Sequence, residues 1–273
     1  MEPNGNLQLE FKRKQSGETY VSKQYFKLPL QVFPANYLDK DGTAFLYLLN
    51  PSSGMLEGDL FDIQFHLKEQ SAAVITTPSS NKIYRSKGED TRQEINAIVE
   101  SGSVLEYLPE HNVPYKESRF YQKSVFHVEK NGSLFTWDVV MPGRMARNES
   151  FDFTSYRSNI SLYYDGHLKL REGMKLFPAD FDPHNVAVME HYHIFATAYL
   201  VAEKITEGLT EKLKTYMDGV EGICGGCSTP DEHVLVVKVL FETSLGMQNI
   251  LWNIWNIVRK EMYQKEAFRI RKY

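Results

Sequence analysis

Turn signals recur along the first two thirds of this chain at a nearly constant interval, and that interval constrains the fold more than any single segment. Lys40-Asp41-Gly42, Glu69-Gln70-Ser71, Ser101-Gly102, Lys130-Asn131-Gly132 and Tyr164-Asp165-Gly166 each combine residues suited to tight turns. Asn-Gly or Asp-Gly between apolar runs is the strongest short-range hairpin signal. The steps from Gly42 to Ser71, Gly102, Gly132 and Gly166 are 29, 31, 30 and 34 residues. Three turns are followed by similar segments, Ala73-Val74-Ile75, Ser103-Val104-Leu105 and Ser133-Leu134-Phe135, and these runs close on Pro78, Pro109 and Pro142. A β-sandwich also repeats its turns, but about every 8 to 12 residues. A period near 30, with two strands and a proline-marked loop per unit, predicts stacked β-hairpin layers, a β-helix-like body.

Leu46 to Ser86 shows one such unit. Asn50-Pro51-Ser52-Ser53-Gly54 is turn chemistry, and Gly58-Asp59 precedes a run in which Phe61, Ile63, Phe65 and Leu67 alternate with Asp62, Gln64 and His66, the period of a half-buried strand. An apolar strand, Ala72 to Thr77, follows. In the run Arg119 to Val128, Phe120, Val125 and Val128 do not share one parity, which predicts a bulge or two-sided burial. The β body extends over about residues 7–180. After Pro178 and Pro183 the texture changes, and a C-terminal α/β part over about 184–273 belongs to the same single domain, 1–273. Within it, Ile205, Leu209, Leu213 and Tyr216 predict a helix over 201–217, His233 to Glu242 a buried strand, and Ser244 to Tyr263 a second helix. The expected fold is mainly β, with a C-terminal strand flanked by two α-helices.

Composition narrows the function. The 273 residues are 42% hydrophobic and 24% charged with a net charge of -4, which supports a sizeable core and gives no nucleic-acid footprint. The N-terminal residues lack the apolar core of a signal peptide and no apolar run is long enough to span a bilayer, so a cytoplasmic protein without membrane contact is expected. The two cysteines, Cys224 and Cys227, form the one CxxC, read as a flexible Gly turn or half of a metal site rather than a disulfide.

GxSxG, HExxH, GxxxxGK[ST] and GxGxxG are all absent, which argues against an enzyme. The carboxylates Asp59 and Asp62 beside the Gly-rich loop suit contact with a divalent cation, against the alternative of solvated loop charge. His191 and His193 would face one way in an extended segment and form a metal pair. Lys82, Tyr84, Arg85 and Arg144 either meet a partner or pair internally with acids such as Glu106 or Glu149.

Four motifs in one order, NPxxGxLxGD at Asn50 to Asp59, TTPxxxKxYR at Thr76 to Arg85, LExLP at Leu105 to Pro109 and GRxARxE at Gly143 to Glu149, resemble the urease accessory protein family UreD, called UreH in some bacteria. The register between motifs extends the resemblance over nearly the whole chain. Ser53 departs from it where a second Gly is usual. The resemblance implies a β-helix-like fold and a chaperone without turnover of its own, bound to apo-urease on one side and to the accessory protein UreF on the other. UreF recruits the GTPase UreG, and nickel travels through a water-filled passage. No cofactor is then held stoichiometrically; nickel is bound transiently and GTP belongs to a partner. Trp252, on the second helix three residues from Trp255, is the expected anchor for the UreF-like partner. The alternatives are a β-helix carbohydrate-active enzyme and a metal-free β-rich adaptor.

Overall fold

The computed structural model describes residues 2–180, 182–185 and 188–270. Strand β1 (Gly5–Arg13) turns back as β2 (Thr19–Lys27), and β3 (Gln31–Val32) leads to β4 (Ala44–Leu49). Then come β5 (Leu60–Leu67), β6 (Ala72–Thr76) and β7 (Asn81–Ile83); β8 (Thr91–Val99), β9 (Val104–Leu108) and β10 (Asn112–Pro114); and β11 (Arg119–Val128) with β12 (Ser133–Val140). A hairpin of β13 (Ser155–Tyr164) and β14 (His167–Leu176) ends one sheet, and β15 (Ile194–Val201) extends the other.

The layers stack as the 30-residue interval predicts. β1, β5, β8, β11 and β13 pair in parallel in the first sheet, and β4, β6, β9 and β12 in the second. The turns at Gln70, Gly102 and Asn131 differ from the hairpins expected there. Each is a corner, because the strands on either side lie in opposite sheets and pair with the coils above and below. The same turn chemistry serves both purposes: Gln70, Gly102 and Asn131 all have φ between 62° and 68°. A Cβ at Gly102 would sit 2.1 Å from the Gln70 side-chain amide of the coil below, so any other residue at this corner would displace that side chain. Tyr164-Asp165-Gly166 is a true hairpin turn.

Alternation along each strand sends one set of side chains between the sheets. Leu7, Leu9, Phe65, Leu67, Val99, Leu105, Val128 and Leu162 pack there. β11 needs no bulge: Phe120, Gln122, Ser124, Phe126 and Val128 all point inward in strict alternation, and Val125 faces out. The parity looked broken only because two inward positions are polar.

α1 (Glu207–Asp218), β16 (Ile223–Asp231), β17 (Val234–Phe241) and α2 (Ser244–Val258) complete the chain, with a π turn over Arg259–Tyr263. The strand β17 and both helices match expectation, except that the first helix begins at Glu207, capped by Thr206, because Val201 ends β15. Cys224-Gly225-Gly226-Cys227 is not a turn but part of β16, at the sheet edge. The outer face of the second sheet packs against the helices through Phe135, Leu200, Val237, Leu213, Ile254 and Trp255. Among the described residues, no helix is long and apolar enough to cross a membrane.

Candidate functional site

Where the inward positions turn polar, the sheets do not close on each other. In-register pairing stacks Phe61, Gln93, Gln122, Ser158 and Met174 in one row, and Ile63, Ile95, Ser124, Ile160 and Glu172 in the next. All of these but Met174 and Glu172 line a cavity that begins at the loops of Asn50 to Gly54 and Thr77 to Lys82, and its volume is about 100 Å³. One water needs roughly 10–15 Å³ measured this way, so several fit. A smaller void sharing Asp138, Ser158, Ile160 and Tyr199 continues to Glu172, Met174 and Thr197 at the far end of the stack.

The mouth is built by local chemistry. Met55 N–H donates to Lys82 O and Tyr84 N–H to Met55 O, which ties the two loops together. Gly54 has φ 145°, and a Cβ there would lie 2.4 Å from Lys82 O, so no other residue allows this approach.

Asp138 is the titratable group at the centre. Ser158 Oγ donates to its Oδ2 at 2.7 Å, and Asn112 Nδ2 and Tyr156 Oη donate to its Oδ1 at 3.1 and 3.3 Å. Asn112 also donates to Tyr156 Oη and accepts from Asn81, while Gln93 donates to Gln122. Burial raises the Asp138 pKa, and the hydrogen bonds from Ser158, Tyr156 and Asn112 only partly offset it. Burial also raises the Tyr199 phenol, helped by Glu172 and Asp138 on either side. The centre is therefore a carboxyl group with neutral partners in a cavity large enough for several waters.

The residues singled out from sequence lie elsewhere. The Asp59 carboxylate accepts from Leu56 N–H at 2.7 Å and closes its own loop. Asp62 faces out of the stack, accepting from Asn6 and Gln64 amides at 3.1 and 2.8 Å. Neither lines the cavity. Glu190, with φ 51°, bends the segment that was expected to be extended. His191 Nε2 sits 3.2 Å from Glu242, while the His193 ring meets His184 with centroids 5.4 Å apart. Cys224 and Cys227, three apart on a strand, point to opposite faces. Among the described residues no three His, Cys, Asp or Glu are placed to hold a metal ion.

Arg144 pairs with Glu149 and lies 4.1 Å over the Tyr115 ring, Tyr84 packs edge-on against Tyr115, and Arg85 pairs with Glu117. Lys82 is exposed at the mouth. Trp255 is buried, donating to Glu106, whereas Trp252 lies half-buried in a groove, donating to Phe268 O with Arg269 3.9 Å over its ring. This groove shares Pro109, Glu110 and Trp137 with the wall of the cavity.

Sequence reasoning missed Asp138, Asn112, Gln122, Ser158 and Glu172. The signal was present in β11, where Gln122 and Ser124 occupy inward positions.

Comparisons with known proteins place the chain in a family. A family model described as UreD urease accessory protein matches residues 3–272. The chain is 28% identical to the urease accessory protein UreD of Lachnoclostridium phytofermentans, over 98% of each chain. It is 26% identical to that of Bacillus cereus over 99% of each, and 30% identical to one from Aliivibrio fischeri over 84% of this chain and 82% of that one. A match of this extent leaves the carbohydrate-active alternative without support, and the chain belongs to the UreD family of urease accessory proteins.

Proposed function

We propose that the protein is a metallochaperone scaffold for urease maturation: it binds apo-urease together with UreF-like and UreG-like accessory proteins and passes nickel to the urease centre through its own interior. It turns over no substrate. Nickel is a transient cargo, and GTP stays with the UreG-like partner. The observation that carries this reading is Asp138, a half-buried carboxyl group with neutral partners only, inside a cavity that crosses the stacked layers. A conduit must let an ion leave as readily as it arrives, which favours one carboxylate with waters, hydroxyls and amides over a closed set of imidazole or thiolate ligands. Gln93, Gln122 and Ser124 offer such groups to the water shell of the ion. The Trp252 groove beside the cavity suits the UreF-like partner, since half-buried aromatics anchor interfaces.

The test compares Asp138→Asn with wild type for nickel per urease active site after co-expression, beside a pull-down of the accessory complex. We expect the complex to form and nickel to fall severalfold. Full nickel loading would remove Asp138 from the path.

A further inference from the structure

The far end of the passage carries a cation of the protein's own. Direct cross-strand pairing places Asp138, Thr197, Lys238 and Gly226 in one row, on one face of the second sheet. Asp138 and Thr197 line the void at that end, together with Glu172 from the edge strand of the first sheet. The Lys238 ammonium is hydrogen-bonded to Glu172 Oε1 and bridges the seam between the sheets. Beside it, Lys169 and Asp231 close the same seam at 3.3 Å.

Three features make this pair unlike a fixed structural bridge. The Lys238 side chain is 51% exposed, so water can receive the ammonium when it leaves. Its neighbour in the row is Gly226, where a Cβ would meet nothing within 4 Å, so there is room for the side chain to swing aside. Glu172 lies in the cavity wall, one carboxylate beyond Asp138, where a departing cation needs a ligand.

We infer that Lys238 is a displaceable latch: its ammonium holds Glu172 in the free protein, keeps divalent cations off that carboxylate, and must swing out before an ion can leave by this end. The inference rests on reading the cavity as a cation passage. An ammonium and a divalent ion on one carboxylate repel each other, so each weakens the other's hold on Glu172. The latch gives directionality a physical basis, since an acidic group on a docked partner would draw Lys238 away and leave Glu172 to the ion.

The experiment titrates Mn²⁺ alone into the full-length protein and reads free Mn²⁺ by electron paramagnetic resonance, because Mn²⁺ prefers oxygen ligands and avoids the surface histidines. Lys238→Met should tighten binding about fivefold, the scale set by losing one half-exposed ion pair. Lys238→Arg should bind as wild type does, and Glu172→Gln added to Lys238→Met should abolish the gain. Unchanged affinity in a folded Lys238→Met protein would overturn the latch, and so would a gain that survives Glu172→Gln. Should Lys238→Met fail to fold, Lys238→Gln makes the same comparison. Nickel loading in Asp138→Asn decides the passage reading separately, so the two ideas fail in different measurements.

Discussion

The two faces of the second sheet each turn a carboxyl group inward, and they treat it in opposite ways. On the helix side, Glu106 meets Arg259 at 2.9 Å, with side-chain exposures of 2% and 0%, and accepts from Trp255 Nε1 at 2.6 Å. Arg259 also pairs with Asp39, and although burial by itself would lower the arginine pKa, these two acids raise it. On the cavity side, one parallel strand away, Asp138 has amides and hydroxyls only. The first carboxylate is neutralised, dry and fixed. The second is left without a countercharge, an arrangement that costs stability when the group is ionised.

Breaking the first arrangement should have the largest effect. Glu106→Ala leaves Arg259 with Asp39 alone in a buried site, and we expect about 3–4 kcal/mol less stability in urea denaturation. Phe65→Ala, in the dry half of the interior, should cost about 3 kcal/mol by the same measurement, whereas Ser124→Ala on the cavity wall should cost less than about 1 kcal/mol.

Asp138→Asn sharpens the contrast through pH. The Asp138 pKa is raised on folding, so below the unfolded value, near 3.8, the group is protonated in both states and costs nothing. Between that value and the raised folded one, the native state holds the proton the unfolded state has lost, and stability falls as pH rises. Asp138→Asn should therefore be at least as stable as wild type at neutral pH, with the difference shrinking toward pH 4. A wild type that gains stability from Asp138 as pH rises would contradict the environment described.

Trp252→Ala should weaken capture of a UreF-like partner by about 1–2 kcal/mol, read by titration calorimetry, with the melting curve retained. A collapsed melt would place Trp252 in the core beside Trp255. A small effect is expected from the double variant Asp59→Ala, Asp62→Ala: nickel loading close to wild type, and a stability loss of about 1 kcal/mol from the lost loop hydrogen bond. A severalfold fall in nickel with the complex intact would return these carboxylates to the path.

The architecture was legible in the sequence because coils of equal length must place their corners at equal intervals, and Gln70, Gly102 and Asn131 mark those corners chemically. Which strands the corners join was not, since a positive-φ residue serves a hairpin and an arch equally well. β15 was hidden because Ile194 to Val201 is a nearly continuous apolar run that periodicity does not assign. The cavity was harder to read for a related reason. A polar residue at an inward position looks like a fault in the pattern, and counting Val125, which faces out, among the apolar set made the parity look broken. Asp138 sits in a strand of apolar neighbours, and its partners Asn112, Tyr156 and Ser158 come from other coils, up to 26 residues away. Asp59 and Asp62 drew attention because they are close in sequence to a Gly-rich loop, but proximity along a coil is not proximity to the axis.

Parallel, in-register stacking also makes length a countable quantity. Each coil adds one strand spacing, about 4.8 Å, to both walls at once. The row from Phe61 through Gln93 and Gln122 to Ser158 spans three spacings, or about 14 Å. A protein built this way is a ruler with fixed graduations: a related chain that must bridge a wider gap can gain or lose a whole coil, changing the span in discrete steps while each graduation keeps its own chemistry.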